Sequence, residues 1–243
     1  MFRKLSEQHK NKFAIFVLLA AASAICFLLA AVRMARSDST HYGFLLWNLM
    51  LAWIPFIFAA LAYTLANVNK RILTLLIFAA AAAWLVFFPN APYILTDFQH
   101  LSQITDGIPV WYDVILLIWF AWTGLLLGMV SLYLMQEIVA RMLNSNAASW
   151  LFVVCVTAMS SFGIYVGRFM RWNSWDAWNH PLPLAQDIWA EIRHPLANKE
   201  AFGFTFMFTL LFLFVYLTLY IFGNLMREHQ RQKLTGTQPT RVR

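Results

Sequence analysis

Apolar residues fall in six long runs, at 13–32, 44–66, 72–88, 112–136, 149–167 and 202–225. About 20 residues of helix cross the hydrocarbon core of a bilayer, so each run can span it, the third only just. The polar breaks between them differ in kind. Those at 67–71 and 137–148 are short, whereas 89–111 and 168–201 are long and rich in polar and aromatic side chains. The pattern predicts an all-α polytopic membrane protein with six transmembrane helices and short interfacial helices in the two long connections. It divides the chain into an N-terminal segment 1–12, a single membrane domain 13–225 and a polar, disordered tail 226–243. The first run follows a basic start, as a signal peptide would. It is long for that role and lacks a small-x-small cleavage pattern before Arg33, so it is read as a span.

The third run ends in Phe-Phe-Pro-Asn-Ala-Pro-Tyr-Ile-Leu-Thr-Asp-Phe-Gln-His-Leu, 87–101. Pro89 has no N–H and disfavours helical geometry at Phe88, so it ends the preceding helix. Asn90 is placed to cap a new helix, with Pro92 in its first turn. At 3.6 residues per turn, Tyr93, Thr96, Asp97 and His100 share one face of that helix. Ile94, Leu95, Phe98 and Leu101 share the other. A short helix of this kind suits a membrane surface.

Composition removes the soluble alternatives. The 243 residues are 61% hydrophobic and 12% charged, against about 25% charged in soluble domains. A net charge of +7 would suit nucleic acid, but the basic residues sit at the ends of apolar runs, where they orient a protein in a bilayer. Of 18 Lys and Arg, 12 lie on the side of the two termini and 6 on the other, while 8 of the 11 acids lie on that other side. Both termini are therefore expected in the cytoplasm, with 89–111 and 168–201 outside. Cys26 and Cys155 fall within apolar runs and read as small buried hydrophobes.

Gly124 and Gly128 in the fourth run, and Gly163 and Gly167 in the fifth, have the small-xxx-small spacing that lets helices approach closely in lipid. Their mutual packing would carry Arg168 towards Asp113 at the mouth of the fourth span. Arg168 and Arg171 are three apart, so a continuing helix would present both as a clamp for phosphate or carboxylate. The plainer reading is that they reach up to lipid headgroups. Asp113 suits the positive end of a helix dipole. Asn173 or Ser174 can cap a helix starting near Trp175, with Asp176 in its first turn. Asp97 and His100, at i and i+3, can orient each other as a general base. A metal there would need a third ligand from Asp113 or Asp176, so no cofactor is assigned. There is no phosphate-binding loop, dinucleotide fingerprint or nucleophile elbow.

Phe-Pro-Asn-Ala-Pro-Tyr (88–93), Thr96-Asp97, His100-Leu101 and Trp111-Tyr112-Asp113 form one set of motifs. Ser161-Phe162-Gly163-Ile164-Tyr165, Gly167-Arg168 and Arg171 through Asp176 form another. Together, over roughly residues 40–225, they resemble DUF1361, a family of uncharacterised bacterial integral membrane proteins. The resemblance implies a multi-span protein of the bacterial cytoplasmic (inner) membrane. It supplies no activity, ligand or catalytic residue.

The residues themselves point to an extracytoplasmic site that binds or acts on an anionic, phosphate-bearing lipid or envelope substrate. Asp97 and His100 would move protons. Arg168, Arg171, Tyr93, Asp113, Asn173 and Asp176 would bind the substrate. Two rival readings use the same cluster, as the vestibule of a transporter or channel, or as a salt-bridge lock in a structural subunit. The partners expected are the bilayer and an anionic lipid or envelope ligand. No nucleic acid is expected and no protein partner is indicated. Whether the chain is an enzyme stays open at this level. The topology is directly testable. Single cysteines at Gln103 and Asn179 should react with a membrane-impermeant thiol reagent in intact cells, and labelling of both only after lysis would reverse the assignment.

Overall fold

The computed structural model describes residues 2–37, 40–66, 73–103, 107–194 and 198–235. Asp38, Lys70, Arg71, Asp106, Arg241 and Arg243, which enter the charge pattern above, lie outside the described residues. The elements are α1 (Phe2–Ser37), α2 (Gly43–Ala66), α3 (Leu73–Phe87), α4 (Asn90–Tyr93), a 3-10 helix (Ile94–Gln103), α5 (Val110–Leu143), α6 (Asn146–Phe169), α7 (Asp176–Asn179), α8 (Pro181–Arg193) and α9 (Lys199–Thr235). Among the described residues there is no strand. Six helical segments are long and apolar enough to cross a membrane, the third running from Thr74 through Leu101.

Several helices outrun their apolar stretches. α5 continues to Leu143 and α6 begins at Asn146, so the break expected at 137–148 shrinks to a two-residue turn. Asn144 takes the left-handed conformation (φ 48°) that ends α5. Ser145 caps α6 by accepting from the Ala148 N–H at 3.2 Å. α9 runs to Thr235, so the tail expected to be disordered from 226 is helical over its first part.

α5 is the central helix. In its apolar stretch 61% of residues are buried, against 11% for α9. It contacts α1, α2, α4, α6 and the 3-10 helix, while α9 packs on α6. Hydrophobicity cannot drive helices together in lipid, so polar contacts and close packing must hold the bundle. Trp53 donates to the Ser23 hydroxyl (α2 to α1, 3.0 Å) and Trp84 to the Ser131 hydroxyl (α3 to α5, 3.2 Å). Tyr216 donates to the Gln136 side chain, joining α9 to α5. Cys26 is buried beside Thr123, at 3.6 Å. Cys155, expected to be buried, is exposed on α6.

The first part of the first long connection does not lie on the surface. Residues 88–94 are wedged between α5 and α6, and the four glycines make room for them. A Cβ at Gly124 would lie 2.6 Å from the Ala91 carbonyl oxygen, and one at Gly163 would lie 2.9 Å from Pro89 Cγ. Gly128 faces Ala91 and Pro92, and Gly167 faces Tyr93 and Trp172. The expectation that these glycines pack α5 on α6 is thus corrected. The two helices do touch, but the glycine tracks of both receive a third piece of chain.

The wedge departs from a regular surface helix because of its prolines. Pro89 stays in helical geometry and stands at the N-cap position of α4 without a side-chain bond. Asn90 does not cap that helix. Its amide donates backwards to the Phe87 carbonyl at 3.0 Å, one of the acceptors orphaned where α3 ends, and across to the Ser174 hydroxyl at 2.8 Å. From Ile94 the chain tightens to three residues per turn. That period puts Ile94 and Asp97 on one edge, and both are buried, as is Ala91 in α4. A 3.6-residue period would have rotated Asp97 about 60° away from Ile94.

Gly124→Ala should destabilise the folded bundle by about 1–3 kcal/mol, because the new methyl meets backbone that cannot move aside. Gly203→Ala, where a Cβ meets nothing within 4 Å, should be neutral or stabilising. Thermal melting in detergent compares them, and equal midpoints for the two variants would contradict the wedge.

Candidate functional site

The buried edge of the 3-10 helix brings Asp97 under α6 and beside α2. Arg168, one residue before the end of α6, donates through Nη2 to Asp97 Oδ1. The other carboxylate oxygen accepts from Asn48 Nδ2 at 2.9 Å. Arg168 Nε donates to the Thr96 hydroxyl at 2.8 Å, and Thr96 donates to the Tyr93 carbonyl at 2.7 Å. The guanidinium carbon lies 4.3 Å from the centre of the Tyr93 ring. His100 Nε2 stands 3.5 Å from Arg168 Nη1, and its ring packs 4.8 Å from Phe44. Asp97 is 1% exposed and the Arg168 side chain 10%. Both charges have left water, and their mutual pairing and added hydrogen bonds offset that cost.

Asp113 is not part of this cluster. It forms a two-pronged pair with Arg33, from Nε to Oδ1 and from Nη2 to Oδ2 at 3.1 Å, with side chains 2% and 6% exposed. Arg33 also lies 5.2 Å from the Tyr42 ring, and Tyr112 donates to the Leu29 carbonyl at 2.8 Å. These contacts tie α1 to the mouth of α5. The expectation that close α5–α6 packing would bring Arg168 to Asp113 is corrected, since Arg33 occupies that carboxylate.

Arg171 does not share a helix face with Arg168. α6 ends at Phe169, and Arg171 adopts a left-handed backbone (φ 62°) that lets the Trp172 N–H return towards the Val166 carbonyl, 3.4 Å away. The two-arginine clamp is therefore not assembled. Arg171 is exposed and makes no ion pair among the described residues. Asp176 accepts from the Asn173 N–H at 2.8 Å, which stabilises the turn into α7. Trp172 Nε1 donates to Asp187 Oδ2 at 2.9 Å and so pins α8 to the end of α6. Among the described residues no third His, Cys, Asp or Glu joins Asp97 and His100 as a metal-binding group.

Beside the Asp97–Arg168 pair lies a cavity of about 500 Å³. Trp47 and Leu51 of α2, Val86 of α3, and Met159 and Phe162 of α6 form apolar walls. Pro89, Asn90 and Tyr93 lie on the wedge side, and α8 covers it with Leu184, Ile188 and Ile192, which share one helix face. The polar lining is uncharged, consisting of Asn48, Asn90, Tyr93, Asn173 and Ser174. Neither Asp97 nor Arg168 lines it. Asn48 and Tyr93 stand between the charged pair and the cavity, one touching the carboxylate and the other the guanidinium. Trp47 and Met159 are 54% and 56% exposed, so the cavity opens sideways, on the flank of the bundle.

Sequence reasoning missed Asn48 and Arg33 as partners. Asn48 is a polar side chain inside the second apolar run, and Arg33 is expected on the same side of the membrane as Asp113, so each carried a usable signal.

Asp97→Asn should cost the folded state about 3–5 kcal/mol, because it leaves the Arg168 guanidinium buried without its counter-charge. The double variant Asp97→Asn with Arg168→Gln should lose less than the sum of the two single losses. Strict additivity in detergent melting would uncouple the pair.

No curated protein and no solved structure matches this chain. A family model described as protein of unknown function (DUF1361) matches residues 47–215, which include the wedge, Asp97, Arg168 and every residue lining the cavity. With well over half its length matched, the chain belongs to the DUF1361 family.

Proposed function

We propose that this multi-pass protein binds an anionic, phosphate-bearing lipid or envelope molecule at the end of the bundle that carries α4, α7 and α8. The observation that carries the reading is the side-opening cavity, with hydrocarbon-like walls and uncharged hydrogen-bonding groups on its polar side. Apolar walls suit a lipid tail. Asn173 and Ser174 offer donors to a polar head. The anion is assigned to Arg171 rather than Arg168, because Arg168 is committed to Asp97 while Arg171 is exposed next to the lining residue Trp172.

Arg171 supports this in a second way. A left-handed backbone costs a non-glycine residue about 1 kcal/mol, and glycine would relieve it. Keeping an arginine there accepts strain for a side chain with a use. In this reading the Asp97–Arg168 pair is a positioning element that holds Asn48 and Tyr93 in the cavity wall. No proton transfer is assigned to Asp97 or His100, since both Asp97 oxygens are engaged. The basic residues favour both termini in the cytoplasm and this end of the bundle outside, in a bacterial inner membrane.

The test is Arg171→Gly. Native mass spectrometry of the purified protein should show phosphate-bearing lipids, of one and two chains, retained over uncharged lipids. The variant should lose about tenfold in that retention, the loss of one charge-assisted contact, with its melting point unchanged or raised. Unaltered retention in the variant would refute the anion assignment.

A further inference from the structure

The dimensions of the cavity narrow the class of lipid, an inference that rests on the phosphate-lipid reading above. Its wall on α6 runs from Met159 to Gly167, about 12 Å at 1.5 Å per residue. That is close to the depth of one hydrocarbon leaflet, about 15 Å, half the core of a bilayer. A cavity of about 500 Å³ lies in the lower part of the range of about 300–1,000 Å³ for sites that enclose one small ligand. One chain of leaflet length fits, with a few atoms of its head. Two such chains need about twice the space.

The walls offer no room to widen. On the wedge side Pro89 already lies against Gly163, where even a Cβ would come within 2.9 Å. Towards the opposite end of the bundle, Trp84 of α3 and Phe152 of α6 stack with ring centres 5.9 Å apart and close the space between those helices. The cover, α8, is held at one side by the Trp172–Asp187 hydrogen bond. The remaining opening is the flank between Trp47 and Met159, both on spanning helices and more than half exposed. Entry from that side is entry from the hydrocarbon of the membrane.

We infer that the site takes a phosphate carried on a single apolar chain, which slides in from the bilayer between α2 and α6, its chain under α8 and its phosphate at Arg171. An acyl chain and an isoprenoid chain share this chemistry. The selectivity is steric: a second chain on the same headgroup has to stay outside the cavity, which costs it the contact the first chain makes.

The experiment compares four probes by native mass spectrometry on the full chain released from nanodiscs. They are lysophosphatidic acid, farnesyl monophosphate, two-chain phosphatidic acid and uncharged monoacylglycerol. One of the first two should bind one-to-one and about tenfold more tightly than phosphatidic acid, and which of them leads identifies the chain as acyl or isoprenoid. Ile188→Trp fills the cavity from α8, and Leu51→Trp fills it from α2. Each should reduce that binding about tenfold, with Ile188→Trp leaving the melting point in place because α8 lies outside the packed bundle. Equal binding of phosphatidic acid and lysophosphatidic acid would overturn the single-chain inference and leave the phosphate reading standing. Monoacylglycerol binding as tightly as lysophosphatidic acid would remove the phosphate and with it the reading underneath. Retention of none of the four would overturn both. Unchanged binding in both tryptophan variants would overturn the placement in this cavity.

Discussion

The close approach of the Ala91 backbone to Gly124 is the constraint on which this end of the protein depends. A Cβ on that glycine would meet the Ala91 carbonyl oxygen at 2.6 Å. Without a side chain there, α5 can admit a foreign strand of backbone into its groove, and Gly163 on α6 does the same for Pro89. In a bilayer such a fit matters more than it would in water, because dispersion and close packing replace the hydrophobic effect as the force between helices. The wedge forms one side of the cavity, with α2, the C-terminal part of α6 and α8 around the rest.

The same wedge explains the buried ion pair. Prolines at 89 and 92 deprive the chain of two backbone donors, and the segment beyond tightens to a 3-10 helix. Its three-residue period turns Asp97 inward beneath the buried Ile94. A carboxylate so placed has to be paired, and Arg168 and Asn48 supply one partner for each oxygen. The pair thus joins the 3-10 helix, α6 and α2 at a single point. Arg33 and Asp113 repeat the arrangement between α1 and α5, and each arginine also lies over a tyrosine ring. Two buried ion pairs at one end of a membrane bundle hold it in one geometry, since neither partner can leave without stranding the other's charge.

The division of labour at the site follows from these commitments. Arg168 spends its donors on Asp97 and Thr96, so the cavity beside it is left with amides, hydroxyls and a phenol. A neutral, partly apolar enclosure open to the side is a better host for a lipid than for a soluble ion. Arg171, thrown out of helical register two residues after Phe169, is exposed and next in sequence to the lining residue Trp172.

Much of this was legible in the sequence. Six apolar runs, few charges and polar residues crowded into two connections determined a six-span helical protein, because only closed backbone hydrogen bonding survives in hydrocarbon. The motifs at 88–101 and 161–176 marked the family and contain Tyr93, Asp97, His100 and Arg168, which the structure brings together. The glycines were visible as packing positions, but a glycine says only that something comes close and does not say what. The choice between α6 and the wedge as their neighbour was made by the tertiary structure. Which acid meets which arginine was also decided there, as was whether Asp97 faces outward or inward. A change from 3.6 to 3.0 residues per turn over a few residues rotates a side chain to another face. The prolines mark where the helix is weakened, but how far the chain tightens beyond them is decided by the room left between packed helices, which no pattern along a single chain records.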